Sequence, residues 1–281
     1  MSTTHPHPAH PLDEALALAS TAPGHYTGQT TDAYWNMVGP YGGLTAAVLL
    51  AAVLRHPEAQ GEPVALTVNF AAAVARGPFT VQAVPVRTNR STQHWTVTVL
   101  QAEEEGGEPR VTTTATVLMA QRRTTWSAAD TPVPEGVPAP ADCPRIDPVF
   151  PVEWLKRYEM RPVRGMLPAQ WDGSEHDSLS QLWMRDAPER PLDFPALAAL
   201  ADVFFPRIWR RRAHHVPAGT VSMTVYFHAG GDLLAQTGSG YLLGQARAQE
   251  FRNGFFDQTA QLWNEAGTLL ATTQQIVYYK E

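Results

Sequence analysis

Cysteine, excess positive charge and long apolar runs are scarce or absent in this sequence of 281 residues. The single cysteine, Cys143, cannot form an internal disulfide, and no spacing resembles a zinc site, so we expect a reducing cytoplasm and no bound metal or cofactor. A formal net charge of −6 argues against a nucleic acid partner. No apolar run approaches the roughly 18 residues that span a bilayer, so we expect no membrane partner.

Length and composition indicate an ordinary globular protein. A chain of 281 residues exceeds the usual size of one domain, and its 44% apolar and 17% charged residues lie outside the disordered range. Near the N-terminus, where a secretion signal is not recognisable, His5, His7 and His10 alternate with prolines. Residues 1–24 are therefore predicted to be a tail with one short helix, from Leu12 to Ala19.

The first half is predicted to be one helix followed by an antiparallel meander over residues 25–123. Leu44 to Leu54 is apolar on nearly every face, which is typical of a buried helix. An acidic turn at 103–107 separates the last two strands. Alternating apolar and polar residues predict strands at Val64–Phe70, Phe79–Arg87, His94–Gln101 and Val111–Ala120.

A proline-rich stretch separates this half from a second one with the same plan. Six prolines between Pro132 and Pro148 predict a stiff, irregular linker over residues 124–150. The second unit, residues 151–281, is predicted to contain a helix at Phe194–Trp209 and strands at Gly219–His228, Gly240–Gln249, Phe255–Asn264 and Leu269–Tyr279.

The two halves also align with each other. Leu66–Phe70 matches Met223–Phe227 at an offset of 157, and Val111–Thr114 matches Leu270–Thr273 at an offset of 159. The shared element order favours duplication over chance. A helix that is apolar all round has to be wrapped, and a long curved antiparallel sheet can do this. The predicted fold class is therefore α+β, with two sheets joined edge to edge.

Seven short motifs, in order along the chain, resemble the acyl-CoA thioesterase II (TesB-like) family. The resemblance implies a double hotdog fold and hydrolysis of an acyl-CoA or related thioester to a free acid, and it leaves a homodimer or larger homo-oligomer open. The family often has glycine where this chain has Thr88-Asn89-Arg90. The motifs are Tyr41-Gly42-Gly43, Arg87-Thr88-Asn89-Arg90-Ser91, Glu159-Met160-Arg161-Pro162-Val163, Gln181-Leu182-Trp183-Met184-Arg185, Ala201-Asp202, Val225-Tyr226-Phe227-His228 and Ala271-Thr272-Thr273-Gln274-Gln275.

Three catalytic residues follow from this resemblance by local match: Asp202, Thr220 and Gln275. Asp202 also stands out without the family, because it interrupts an apolar helical segment. Such a carboxylate either faces solvent or is buried and hydrogen-bonded. Thr220 and Gln275 could supply a hydroxyl and a carboxamide as donors.

When the two halves are aligned with each other, the first half lacks the aspartate, the threonine and the glutamine. At an offset of 157, Pro63 stands in the place of Thr220 and Thr45 in the place of Asp202, and at 159 Thr116 stands opposite Gln275. A single site in the second half would give this asymmetry. Unselected drift would give it as well.

The remaining predictions concern the substrate. Gly42 and Gly43, at the start of the first helix, could let an oxyanion approach free N–H groups, or could serve tight helix–sheet packing. Candidates for an acyl tunnel are Trp35, Phe70 and Phe227, and candidates for the phosphates of coenzyme A are Arg87, Arg90 and Arg210–Arg212, with solvated surface as their alternative. Two other functions stay open: a hotdog hydratase or dehydratase, and a non-catalytic acyl-thioester binding protein.

Overall fold

The computed structural model describes residues 9–102, 107–148 and 150–281. His5, His7 and most of the predicted acidic turn lie outside these residues. The helices in the described part are α1 (Pro11–Ala15), α2 (Gly42–Leu54), α3 (Phe194–Leu200), α4 (Arg207–Arg211) and α5 (Gly231–Thr237). The strands are β1 (Ala19–Ala22), β2 (His25–Gln29), β3 (Glu62–Phe70), β4 (Pro78–Thr88), β5 (Thr92–Gln101), β6 (Arg110–Ala120), β7 (Tyr158–Arg164), β8 (Ser180–Asp186), β9 (Ala218–Phe227), β10 (Leu242–Arg247), β11 (Phe251–Arg252), β12 (Phe255–Asn264) and β13 (Leu269–Tyr279).

All the strands belong to one antiparallel sheet that joins the two halves. Its order is β1-β2-β4-β5-β6-β3-β9-β13-β12-β10-β8-β7, with β11 paired to β12. The predicted edge-to-edge junction is therefore confirmed, and it lies between β3 and β9. Thr67 pairs with Thr224 there, and their hydroxyl oxygens are 3.0 Å apart. These two threonines are 157 residues apart, which is the offset between the two halves in the sequence, so equivalent residues pair with each other at the junction.

The offset of 159 for the last strands was wrong by one residue. Leu66 of β3 pairs with Val117 in the first half, and its counterpart Met223 pairs with Gln275 in the second half. The counterpart of Gln275 is therefore Val117 and not Thr116. Because side chains alternate between the two faces of a strand, this single step is decisive: Val117 is buried, whereas Thr116 is exposed on the outer face.

The long helix of the first half is buried as predicted. Every residue of α2 from Gly43 to Val53 is buried, and leucine, alanine and valine supply most of these side chains. They pack against the inner face of β3–β6 and against α3. A segment rich in alanine and leucine has high helix propensity, and its lack of a polar face leaves no stable surface position for it.

The predicted helix Phe194–Trp209 was wrong in its length. α3 ends at Leu200, and a turn and an irregular segment separate it from α4, which begins at Arg207. A single helix could not run on to Trp209, because Pro206, the N-cap residue of α4, has no N–H for a helical hydrogen bond and disfavours helical geometry in the residue before it. The starts of α2 and α3 are 152 residues apart, so the strand offset of 157 does not apply to the helices. The assignment of Thr45 as the counterpart of Asp202, which used that offset, is therefore not supported.

Five strands and one helix were missed in the sequence. They are short or lack a clear alternation, and they are β1, β2, β7, β8, β11 and α5. Near the N-terminus, the helix predicted to reach Ala19 ends at Ala15, because Ala19 is already the first residue of β1.

The described part of the proline-rich segment is irregular apart from a short 3-10 helix at Pro140–Asp142, and it packs on the outer face of the second half. Trp183 donates its indole N–H to the carbonyl of Pro138 (2.9 Å), and Trp263 donates to that of Thr131 (3.4 Å). Cys143 is buried in the same apolar cluster. Among the described residues, no helix is both long enough and apolar enough to cross a membrane.

Candidate active site

Asp202 lies in the turn that follows α3, at the end nearest to the first half. Its backbone N–H donates to the carbonyl of Ala199 (3.2 Å), so the chain leaves the helix with a tight turn. The side chain is partly buried. One carboxylate oxygen, Oδ1, accepts a hydrogen bond of 2.8 Å from Nε2 of Gln275. Asp202 is therefore a helix-terminal residue held by a strand, rather than a residue in the middle of a helix.

Gln275 connects Asp202 to Thr220. Its side chain, on β13, is only 2% exposed, and its Oε1 accepts a hydrogen bond of 3.1 Å from the hydroxyl of Thr220. An ionised carboxylate can only accept, so the amide nitrogen of Gln275 has to face Asp202 and the amide oxygen has to face Thr220. The structure thus brings the three predicted residues together, with Gln275 between the other two.

The N-terminus of α2 faces the same carboxylate. A Cβ atom placed on Gly42 would lie 2.9 Å from Oδ2 of Asp202 and 3.4 Å from Cζ of Phe70. Glycine at this position therefore keeps the second carboxylate oxygen accessible. Gly43 packs against the backbone of α3, because its Cβ would lie 2.5 Å from the carbonyl oxygen of Ala199. The two glycines thus have different roles in this geometry.

Sequence reasoning missed Tyr41, which fixes the position of this helix end. Its hydroxyl donates to the carbonyl of Ala199 (2.8 Å), and its ring stacks on Trp154 with centroids 4.2 Å apart. Tyr41 is 2% exposed and is the N-cap residue of α2. The Tyr-Gly-Gly motif was recognised, but a contact between residues 158 positions apart left no signal in the sequence.

Burial controls the ionisation of Asp202. Removal from water disfavours the charged form and raises the pKa of this carboxyl to about 7. The hydrogen bond from Gln275 and a backbone hydrogen bond from Gly43 act in the opposite direction and lower the pKa. The balance leaves a carboxylate that can both take up and release a proton near neutral pH.

A second carboxylate, Asp186 on β8, has a similar pKa without these partners. It is 4% exposed, and its Oδ1 makes no hydrogen bond with the described residues. Burial raises its pKa to about 7, against the opposing effect of Arg190. Asp186 pairs in register with Tyr158. It is therefore a useful comparison for Asp202, since burial raises its pKa to a similar value and the hydrogen-bonded cluster is missing.

The predicted acyl-tunnel residues are dispersed. Phe70 lies at the site, beside Gly42. Trp35 is in the loop before α2, where Arg76 stacks on its ring at 4.0 Å. Phe227 contacts Phe194 edge-on at the far end of β9, about 23 Å along the strand from Thr220. Only Phe70 therefore touches the groups around Asp202.

The predicted phosphate-binding arginines give no common cationic surface. Arg87 and Arg90 lie at the hairpin between β4 and β5. This hairpin is at the same end of the sheet as the start of β3, which is about 26 Å along that strand from Phe70. The cluster on α4 is paired with acidic side chains: Arg210 with Asp177, Arg211 with Glu175 and Arg212 with Glu281. Within the described residues, no group of three or more His, Cys, Asp or Glu side chains is placed to hold a metal ion.

Comparison with protein families identifies the chain. Residues 31–120 match the N-terminal domain of acyl-CoA thioesterases, and residues 127–279 match the C-terminal domain. The chain belongs to the acyl-CoA thioesterase family. It is a thioester hydrolase with the hotdog fold, as the sequence motifs implied.

Solved structures agree with this assignment. A hotdog-fold protein of unknown function from Alicyclobacillus acidocaldarius is 46% identical, with a TM-score of 0.90 over 97% of this chain and 99% of that chain. A candidate thioesterase II from Thermobifida fusca is 18% identical (TM-score 0.80; 98% and 99% covered). Acyl-CoA thioesterase II TesB2 from Mycobacterium marinum is also 18% identical (TM-score 0.74; 96% and 98% covered). At these lower identities the likeness shows the fold alone.

The fold alone does not define the chemistry. The dehydratase domain of PpsC from Mycobacterium tuberculosis also superimposes on this chain, at 11% identity and a TM-score of 0.56 over 97% of this chain and all of that chain. No curated protein sequence matches the chain. The family match, and not the fold, therefore identifies the chain as a hydrolase.

Proposed function

We propose that this thioesterase hydrolyses acyl-CoA or a related acyl thioester by direct attack of water, with Asp202 as the general base. The observation that carries the proposal is the hydrogen-bonded series Thr220–Gln275–Asp202. It holds a desolvated carboxylate in one orientation and leaves its second oxygen, Oδ2, facing the first turn of α2. A general base needs this combination of fixed geometry and a pKa near the working pH.

In the first step, a water molecule bound to Oδ2 of Asp202 attacks the thioester carbonyl carbon and gives its proton to the carboxylate. The carbonyl oxygen becomes an oxyanion in a tetrahedral intermediate. Collapse of this intermediate breaks the carbon–sulfur bond and releases the free acid. The thiolate leaves, and the proton on Asp202 passes to it or to solvent, so that no covalent enzyme intermediate is needed.

We assign stabilisation of the oxyanion to the first turn of α2. Its N–H groups have no acceptor inside the helix, and the helix dipole adds positive potential at this end. Gly43 already donates to Asp202. The N–H groups of Tyr41 and Thr45 donate to backbone carbonyls, which leaves those of Gly42 and Leu44 for the oxyanion. One donor of this type typically contributes about 3 kcal/mol of barrier reduction.

Two features favour hydrolysis over hydration or dehydration. The hydrogen bonds that join Asp202, Gln275 and Thr220 involve no histidine among the described residues, so the acid–base pair that such chemistry uses is missing from the cluster. The hydrogen-bond donors to Asp202 are neutral amide groups. They stabilise its negative charge but do not act as a second acid or base.

An assay of the pure protein with acyl-CoAs of several chain lengths tests the proposal. We expect release of free thiol and acid, with kcat/KM rising with pH through about 7 to a plateau, because the base has to be ionised. Hydration of an enoyl-CoA without thiol release would support the dehydratase alternative. Saturable binding without turnover would support a binding protein.

A further inference from the structure

Gln258 on β12 is a buried residue beside the proposed site, and its carboxamide has no hydrogen-bond partner among the described residues. It is 2% exposed and stands directly opposite Gln275 in the strand register. Directly paired residues share one face of the sheet, with Cβ atoms about 5 Å apart. Gln258 therefore lies on the inner face, one strand further into the second half than Gln275.

The other buried glutamines show how unusual this is. Gln275 donates to Asp202, as described above, and the remaining three donate to backbone or side-chain oxygens at 2.7 to 3.1 Å; they are Gln93, Gln101 and Gln181. The side chain of Gln258 makes no hydrogen bond with any other described residue. A buried amide without a hydrogen-bond partner lowers the stability of the folded protein, and an apolar side chain of similar volume would avoid this cost. A polar ligand is therefore the natural partner of Gln258.

The position of Gln258 indicates which part of the substrate reaches it. Phe70 and the N-terminus of α2 lie on the β3 side of Asp202, whereas Gln258 lies on the opposite side, inside the second half. The segment after Asp202 covers the neighbouring strand, because Phe204 lies 2.7 Å from the position of a Cβ on Gly244 of β10. The charged coenzyme A portion cannot enter such an interior cheaply, so the acyl portion is the part that can reach it.

We propose that Gln258 determines specificity by hydrogen bonding to a hydroxyl or oxo group on the acyl chain, close to the thioester carbonyl. The proposal rests on the proposed function. A carboxamide both donates and accepts, so it fits either substituent. Substrates with this group satisfy the buried amide, and plain alkyl substrates of the same length leave it unpaired.

Paired substrates test the proposal. We expect the wild type to hydrolyse 3-hydroxyacyl-CoA or 3-oxoacyl-CoA with a kcat/KM at least about tenfold above that of the unsubstituted acyl-CoA of equal length, since sites built for a hydrogen bond discriminate strongly against analogues that lack it. Gln258→Leu is expected to remove this ratio while still hydrolysing the plain substrate. Gln261→Leu, on the opposite face of the same strand, is the matched control and should keep the ratio.

A binding measurement separates this proposal from the hydrolytic one. In the Asp202→Asn background, titration calorimetry with the same CoA esters measures preference without turnover. A preference there that Gln258→Leu removes supports the role of Gln258 even if the wild type releases no thiol. Equal affinity for substituted and plain esters, or a preference that survives both Gln258→Leu and the more conservative Gln258→Met, overturns it. Gln258→Met also serves if the leucine variant does not fold.

Discussion

The two halves of this thioesterase share a strand order but differ at their helices. α2 runs unbroken for 13 residues, whereas α3 ends after seven and the chain turns at once into Asp202. The first half thus contributes a helix N-terminus and the second half a carboxylate, and these meet at the junction of the halves. The proposed site therefore combines the N–H groups of one half with the carboxylate of the other.

The sheet shows the same divergence position by position. Where the second half has Thr220 and Gln275, the first half has Pro63 and Val117 in the equivalent register. Proline has no side-chain donor, and valine has no polar group at all. A second hydrogen-bonded cluster therefore cannot form in the first half, although the backbone there is alike.

The strongest test of this difference is Asp202→Asn. We expect kcat/KM to fall by at least about a hundredfold, consistent with loss of general-base catalysis. Steady-state thiol release measures it. The control is Asp186→Asn, which removes a carboxylate of similar pKa but should leave turnover near that of the wild type. A loss of the same size in both variants would contradict a specific role for Asp202.

The direction in which Asp202→Asn changes the stability of the folded protein can also be tested. The folded pKa of Asp202, about 7, lies above its ordinary value of 3.8, so the native state holds more protons than the unfolded state between those pH values. Ionisation of Asp202 therefore lowers the stability of the wild type as pH rises through this window. Thermal melts at pH 8 should show a Tm for Asp202→Asn that is equal to or above that of the wild type.

Gln275→Leu is expected to have the next largest effect, a loss of about 10- to 100-fold in kcat. Because the hydrogen bond from Gln275 lowers the pKa of Asp202, the variant should also shift the midpoint of the pH–rate profile upward. The neighbouring Gln274 is exposed on the opposite face, so Gln274→Leu is the control. An unmoved midpoint would show that Gln275 does not tune the base.

Gly42→Ala tests the contribution of the first half, with an expected loss of about tenfold. The added methyl group would lie 2.9 Å from Oδ2 of Asp202 and has to displace the carboxylate. If it acts through that carboxylate, the substitution should have little further effect in the Asp202→Asn background. Full additivity in this double-mutant cycle would mean that Gly42 acts elsewhere.

The smallest effect on activity is expected for a charged cluster in the second half. Glu159 is 8% exposed; although burial acts to raise its pKa, hydrogen bonds from Tyr241, Arg185 and Arg161 hold it at about 2. Glu159→Gln should lower the free energy of unfolding at pH 7 by about 1 to 3 kcal/mol, with turnover at 25 °C unchanged. Urea unfolding at pH 7 and a parallel thiol-release assay measure both. Since the folded pKa is lowered, the difference from wild type should shrink as pH falls from about 4 toward 2.

Much of this protein followed from the sequence by itself. The period of apolar residues located α2 and most of the strands of both meanders, and the repeat predicted two sheets joined edge to edge. The family motifs also selected Asp202, Thr220 and Gln275, which the structure brings together. These features are local, or repeat locally, so a linear pattern can record them.

Only the tertiary structure decided how those groups are arranged. It gave the end of α3 at Leu200, the order Thr220–Gln275–Asp202, the contact of Tyr41 with Ala199 and the correct counterpart, Val117, of Gln275. Each depends on residues that are far apart in the chain, or on a strand register in which one step moves a side chain to the other face. The desolvation that raises the pKa of Asp202 has the same origin, because burial comes from the packing of two halves and not from any one segment.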